Sequence, residues 1–106
     1  MSIFNIFARK DINEGVRIFR ESENAILLDV RTREEYANGH IEGSRNLPLD
    51  EIEKVDSIIK DKNVPLYVHC LSGGRSARAA AYLKGKGYKD VHDIGGIGSY
   101  KGMIVV

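Results

Sequence analysis

The fold of this 106-residue chain is decided by one stretch, PLYVHCLSGGRS at residues 65–76. Its apolar beginning predicts a buried strand, its two glycines predict a tight loop, and the alanine-rich residues 77–83 predict a helix. In such a strand–loop–helix unit the backbone N–H groups of the loop converge, and the helix N-terminus adds partial positive charge. We therefore expect Cys70, the only cysteine of the chain, to ionise readily and act as a nucleophile.

Strand and helix patterns alternate through the rest of the chain. Short apolar runs ended by charge, proline or glycine predict strands at residues 25–30, 45–48, 66–69 and 90–94. Helical spacing of apolar residues predicts helices at residues 12–19, at residues 32–36, along Ile52, Val55 and Ile59, and from the Cys70 loop to Gly85 and Gly87. The predicted caps are Asp11 with Glu14, Thr32 with Glu35, and Asp50.

This alternation predicts a single α/β domain over residues 1–106, with a parallel sheet and helices on both faces. We expect the glycine-rich residues 95–106 to pack along an edge of the domain. Open sheets of this kind bind ligands beyond the carboxyl ends of their strands. Both Cys70 and the segment 29–31 follow such strand ends, so the site is expected at this rim.

Composition excludes several classes of function. The net charge is +1 with acids and bases interspersed, so we expect no nucleic-acid partner. No apolar run is long enough to span a membrane, and residues 1–10 lack the long apolar core of a secretory signal. A lone cysteine favours the reducing cytoplasm. Three scattered histidines with one cysteine have no metal-ligand spacing, so we expect no metal and no other cofactor.

Three spaced motifs resemble the signatures of rhodanese-like domains. LDVR at 28–31 with Glu35-Tyr36, GHIEGS at 39–44 and NLP at 46–48 look like the N-terminal signature. Residues 69–76 are similar to the active-site loop, and residues 93–96 with Tyr100 match the C-terminal Gly-Gly segment. The resemblance runs in order from about Asp11 onward. One departure is Tyr100, which stands where the family often has tryptophan.

The resemblance implies a rhodanese-like fold with a central, mostly parallel sheet of about five strands. It also implies a sulfurtransferase that carries sulfur on Cys70 as a persulfide. A small anionic donor such as thiosulfate supplies the sulfur, and a thiol, cyanide or a sulfur-acceptor protein collects it. Two half-reactions through one covalent intermediate imply ping-pong kinetics. The loop that binds the donor and stabilises the persulfide maps onto Leu71, Ser72, Gly73, Gly74, Arg75 and Ser76.

The residue types of the loop fit these roles. Gly73 and Gly74 permit the positive φ and close approach that a backbone cradle needs. Arg75 presents a permanent charge and a planar fork suited to the oxyanions of thiosulfate or departing sulfite, the alternative being a salt bridge to a nearby carboxylate. Ser76 is expected either to cap the helix or to donate a hydrogen bond to the sulfur.

We expect the polar residues outside the loop to support the loop or to stabilise the fold. We expect Asp29 and Arg31 to support the loop from the neighbouring strand end. Adjacent strand residues point to opposite faces of a sheet, so His69 is not expected to act as a base for Cys70. His40, in a turn beside Gly39, is also expected to be structural.

Two alternatives remain open at the sequence level. Cysteine phosphatases and arsenate reductases of the same fold place five residues between cysteine and arginine, whereas only four, residues 71–74, separate Cys70 from Arg75 here. The shorter loop leaves less room for a tetrahedral oxyanion and suits a single sulfur atom. The other alternative is a non-catalytic interaction module, against which the retained Cys70 argues.

Overall fold

The structure is a computed structural model that describes residues 10–106. The prediction about a secretory signal falls almost entirely on residues outside this range. The strands are β1 (Ile26–Asp29), β2 (His40–Ile41), β3 (Ser44–Asn46), β4 (Leu66–Cys70), β5 (Val91–Gly96) and β6 (Ile104–Val105). The α-helices are α1 (Ile12–Glu21), α2 (Arg33–Ala37), α3 (Val55–Ile58) and α4 (Gly74–Gly85). Short 3-10 helices cover Leu49–Lys54 and Ile97–Ser99.

The central sheet is parallel throughout and has the strand order β3-β1-β4-β5. The predicted α/β class is therefore confirmed, although the sheet has four strands where about five were expected. The remaining strands, β2 and β6, form a separate antiparallel pair, with His40 opposite Val105. Residues 97–106 thus leave the main sheet and cross to β2, which lies outside the central sheet.

Side chains of β1 and β4 alternate between two hydrophobic cores, one on each face of the sheet. Leu28, Val68 and Cys70 pack in the core that α4 covers. Leu27 and Tyr67 pack in the core that α1 covers. Because successive strand residues point to opposite faces, this register places Cys70 on the α4 face and His69 on the other. Helices on both faces are confirmed.

Two of the predicted N-terminal caps are present, but only one of them forms a capping box. Thr32 and Glu35 form a complete capping box at the start of α2, as predicted. Asp11 does cap α1, but it accepts from the N–H of Asn13 and forms no box, because Glu14 is paired with Arg17.

The prediction for Asp50 is wrong. The helical segment begins one residue after Pro48 as a 3-10 helix with no side-chain cap, and Asp50 lies inside it. Glu51 has non-helical backbone angles, so a kink lies inside this 3-10 segment, and α3 follows it directly at Val55. The predicted apolar face is nevertheless buried, at Ile52, Val55 and Ile59.

Candidate active site

Cys70 is the last residue of β4 and is 1% exposed. The backbone N–H of Gly73 donates a hydrogen bond to Sγ, with 3.0 Å between the two atoms. Gly73 adopts a φ of 109°, which permits the chain to turn back over the sulfur before α4 begins at Gly74. The predicted strand–loop–helix unit and its backbone cradle are present.

The cradle shifts the ionisation of Cys70. Burial of the thiol raises its pKa, but its hydrogen bond with the Ser76 side chain and those from the N–H groups of Ser76, Gly73 and Ser72 more than offset burial. The pKa of Cys70 consequently lies below that of an ordinary cysteine, because these donors stabilise the thiolate.

Ser76 lies beside the sulfur and does not cap α4. Its Oγ is 3.6 Å from Cys70 Sγ, and the N-terminus of α4 has no side-chain cap. The hydroxyl donates to Asp93 Oδ1 at 2.8 Å, and the same carboxylate oxygen accepts from Gly95 N. While it donates to Asp93, the Ser76 oxygen accepts a hydrogen bond from the Cys70 thiol. A hydroxyl has only one hydrogen, so the backbone N–H groups hold the thiolate whenever Ser76 donates to Asp93. Asp93 was predicted only as part of the Gly-Gly segment, since sequence gives no signal for a contact between residues 17 apart.

Arg75 is held by a carboxylate in the structure. Its guanidinium donates to both oxygens of Glu35, at 2.7 and 3.0 Å, in a partly buried bidentate pair. This is the salt-bridge alternative that the sequence left open. Sequence analysis identified Glu35 only as a helix-capping residue, because nothing local links it to an arginine 40 positions away.

Asp29 and Arg31 form a buried ion pair on the face of the sheet opposite the Cys70 sulfur. The guanidinium and backbone N–H of Arg31 donate to both carboxylate oxygens of Asp29, and the guanidinium also donates to the Gly39 carbonyl. Asn46 donates to the carbonyls of Asp29 and Arg31. The pair thus fixes the end of β1 and the turn at Gly39. The support that this pair is predicted to give the loop stays a prediction, and Arg31 lines one cleft together with Leu71 of the loop.

The two histidines predicted to be structural are both held within the fold. His69 is fully buried, and its Nε2 lies 3.4 Å from Asp29 Oδ2 across the strand pair. His40 stacks on Tyr36, and its Nδ1 lies 2.8 Å from the Tyr36 carbonyl oxygen. The sheet register separates the His69 ring from the sulfur. The geometry therefore agrees with the prediction that it is not the base.

The glycines at the end of β5 pack directly against the active-site loop. The N–H of Gly98 donates to the Leu71 carbonyl at 3.0 Å. A Cβ placed on Gly96 would overlap that carbonyl and lie 2.7 Å from Ser72 Cα. Only a residue without a side chain permits this approach, so the family-like Gly-Gly segment has a steric reason to be glycine.

We expect Gly96→Ala to lower the free energy of unfolding by about 1–3 kcal/mol, because the methyl group displaces rigid backbone. The displaced loop should also slow the chemical modification of Cys70. Urea unfolding and the rate of Cys70 modification measure the two effects. Gly85→Ala is the matched control, since nothing lies within 4 Å of its added Cβ. Equal stability of the two variants would contradict the steric argument.

Three clefts surround the loop and its arginine. One of about 920 Å³ lies between the loop, the β5 end and the start of α1, and Asp93 lines it. A second, of about 430 Å³, lies on the other side of Leu71 and includes Arg31, Glu35 and Ile104. The third, of about 530 Å³, is mostly apolar and shares only Arg75 with the loop. The first two clefts therefore give access to the loop.

Residues 10–106 contain no group of three or more histidine, cysteine or acidic side chains arranged to hold a metal ion. Among the helices of that range, none is long and apolar enough to cross a membrane.

Comparison with known proteins places the chain in a family. The model of the rhodanese-like domain matches residues 14–102. Thiosulfate sulfurtransferase GlpE of Pseudomonas putida is 40% identical over 78 residues, which are 73% of this chain and 69% of that protein. Thiosulfate sulfurtransferase PspE of Escherichia coli is 37% identical over 71 residues, 66% of this chain and 68% of that protein.

Solved structures agree with these matches. A rhodanese from E. coli, solved with anions, has a TM-score of 0.70 at 33% identity, covering 76% of this chain and 96% of that one. A rhodanese-like domain protein from Staphylococcus aureus has a TM-score of 0.72 at 28% identity, covering 91% and 94%. With its cysteine on the backbone cradle and its glycines behind the loop, this chain belongs to the rhodanese-like domain family.

Proposed function

We propose that this protein is a sulfurtransferase that takes a sulfur atom onto Cys70 as a persulfide and passes it to a thiophilic acceptor. The observation that carries the proposal is the position of Sγ at a strand end, 3.0 Å from the Gly73 N–H and in front of the N-terminus of α4. The names of the relatives, thiosulfate sulfurtransferases, support the same reaction. Cys70 is the catalytic residue, and residues 71–76 form the donor-binding loop.

In the first half-reaction the Cys70 thiolate attacks the outer sulfur of the donor. A bond forms between Sγ and that sulfur, and the bond from the outer sulfur to the rest of the donor breaks. With thiosulfate, the electron pair leaves with sulfite. The N–H groups of Ser72, Gly73 and Ser76 stabilise the thiolate before the attack, and we expect them to hold the persulfide anion after it.

In the second half-reaction an acceptor nucleophile attacks the terminal sulfur of the persulfide. Cyanide, a thiol or the cysteine of an acceptor protein forms the new bond to sulfur, and Cys70 leaves as the thiolate. The cradle that stabilises this thiolate makes it a good leaving group, so one set of donors serves both steps. The reacting cysteine must stay reduced, which favours the cytoplasm as the compartment.

The test is the intact mass of the protein after incubation with a sulfur donor. We expect thiosulfate or an organic persulfide to add one sulfur atom at Cys70, and a thiol reductant or cyanide to remove it. Peptide mapping assigns the adduct to the residue. Absence of an adduct with every donor, together with hydrolysis of an aryl phosphate, would replace this proposal with the phosphatase alternative.

A further inference from the structure

Within residues 10–106, three cations lie in the active-site loop or line its two clefts, and each has a carboxylate oxygen within 4 Å. Arg75, the one cation within the loop, holds Glu35, with Nη1 and Oε1 2.7 Å apart. The cation lining the smaller loop cleft, Arg31, is paired with the buried Asp29 at 2.8 Å. The cation lining the larger cleft, Lys10, lies 3.9 Å from Asp93. These pairs reduce the positive charge that the two loop clefts present to an anionic donor, while Arg78 lines only the third cleft.

The carboxylate that pairs with Arg75 is held in place by its own helix start. Glu35 is anchored by the capping box, where Oε1 accepts from the N–H and the hydroxyl of Thr32. The Arg75 guanidinium, together with the Thr32 hydrogen bonds, lowers the pKa of Glu35 to about 2 against a smaller opposing effect of burial. Glu35 is thus ionised at neutral pH and held in the position that occupies the planar fork of Arg75.

The walls of the smaller cleft are partly apolar. Leu71 is 47% exposed and Ile104 is 44% exposed, and both line this cleft together with Ile97. Its volume of about 430 Å³ lies within the usual range for sites that hold organic ligands and far exceeds a five-atom inorganic anion. Exposed apolar side chains in a cleft beside the active-site loop favour a substrate that carries an apolar body.

We propose that Glu35 sets the donor specificity of this site, so that the loop selects an organic persulfide, R–S–SH, over the thiosulfate dianion. This inference rests on the proposed sulfurtransferase function and narrows its donor class. Thiosulfate has to exchange its hydration for a guanidinium that is already paired, and it meets the Glu35 carboxylate at short range. A protonated persulfide brings no charge to the sulfur under attack, and its organic part covers Leu71 and Ile104.

The two donors carry different charges, and atoms and charge balance in each reaction. The Cys70 thiolate and R–S–SH give Cys70–S–SH and the thiolate R–S⁻, so one negative charge is present before and after. The same thiolate and thiosulfate give the Cys70 persulfide anion and sulfite, with three negative charges on each side. Only the second reaction brings two further charges into the site.

The experiment compares two donors, thiosulfate and benzyl persulfide, with cyanide as the common acceptor and thiocyanate as the product measured. The organic part of benzyl persulfide is apolar and uncharged, and we expect the wild type to use this donor with the higher kcat/KM. In Glu35→Gln the ratio of kcat/KM for thiosulfate to that for benzyl persulfide should rise about tenfold, which corresponds to about 1.4 kcal/mol. Glutamine retains the capping box, so this variant changes the charge and keeps the helix start.

Glu34→Gln is the matched control, since it removes the same charge from an exposed neighbour on α2, and its donor ratio should equal that of the wild type. A second substitution, Arg75→Met in the Glu35→Gln background, should remove the gain. The inference is overturned if the wild type prefers thiosulfate, or if Glu35→Gln leaves the ratio unchanged or lowers it. A failure of the sulfurtransferase proposal itself would give a different result, because Cys70 would then gain no sulfur from either donor.

Discussion

Replacing Cys70 by serine will abolish sulfur transfer while the fold is retained. A serine hydroxyl is not ionised at neutral pH even in this cradle, and it forms no persulfide, so we expect turnover to fall by about 10⁴-fold or more. The side chains are similar in size, and the Gly73 N–H that now donates to Sγ can donate to a hydroxyl oxygen. The free energy of unfolding should therefore change by only about 1 kcal/mol.

Thiocyanate formation with either donor measures the activity of Cys70→Ser, and urea unfolding measures its stability. Cys70→Ala is the companion variant, because it has neither a nucleophile nor a hydroxyl and should be equally inactive. It also reports the uncatalysed reaction of the donor with cyanide. Normal turnover by Cys70→Ser would remove the covalent mechanism. A large loss of stability would instead show that the thiol is needed for packing at this buried position.

The position of this cysteine was predictable because all of its determinants are local. A strand, two glycines and a helix within residues 65–83 are enough to place Sγ at a backbone cradle. The capping box at Thr32 was predictable for the same reason, since its two residues are three positions apart. Patterns of this length also predicted the four strands of the parallel sheet and the helices between them, but not the short strands β2 and β6, which pair across a long separation in the chain.

The partners of the functional side chains were not predictable, because they depend on tertiary packing. The loop and α2 meet only after β1 and β4 have paired, and this contact brings Arg75 to Glu35. From the sequence alone the arginine is therefore expected to bind an oxyanion, with a carboxylate as the alternative partner. Asp93 likewise reaches Ser76 through the pairing of β5 with β4. The chemistry of the nucleophile is encoded locally, whereas the charge that surrounds it is a property of the assembled sheet.

The second large effect is expected on stability, and it comes from the buried ion pair between Arg31 and Asp29. We expect Arg31→Met to lower the free energy of unfolding by about 3–5 kcal/mol at neutral pH, because it leaves the Asp29 carboxylate buried with no guanidinium. The side chains of Arg31 and Asp29 are 7% and 0% exposed, so water cannot replace the lost partner. Methionine keeps the apolar stem. Arg33→Met removes an exposed ion pair with Glu51 and should cost much less.

The loss in Arg31→Met should depend on pH in a direction that identifies its cause. Burial raises the pKa of Asp29, but the His69 ring and the Arg31 guanidinium more than offset this and lower it from 3.8 to about 2. A lowered folded-state pKa stabilises the protein above pH 3.8, and that stabilisation is lost as the pH falls toward 2. The difference in unfolding free energy between wild type and Arg31→Met should therefore be widest at neutral pH and narrow over this interval. A difference that stayed constant down to pH 2 would mean that Arg31 stabilises the strand end through the packing and hydrogen bonds of its guanidinium, including the one to Gly39, and that its charge contributes little.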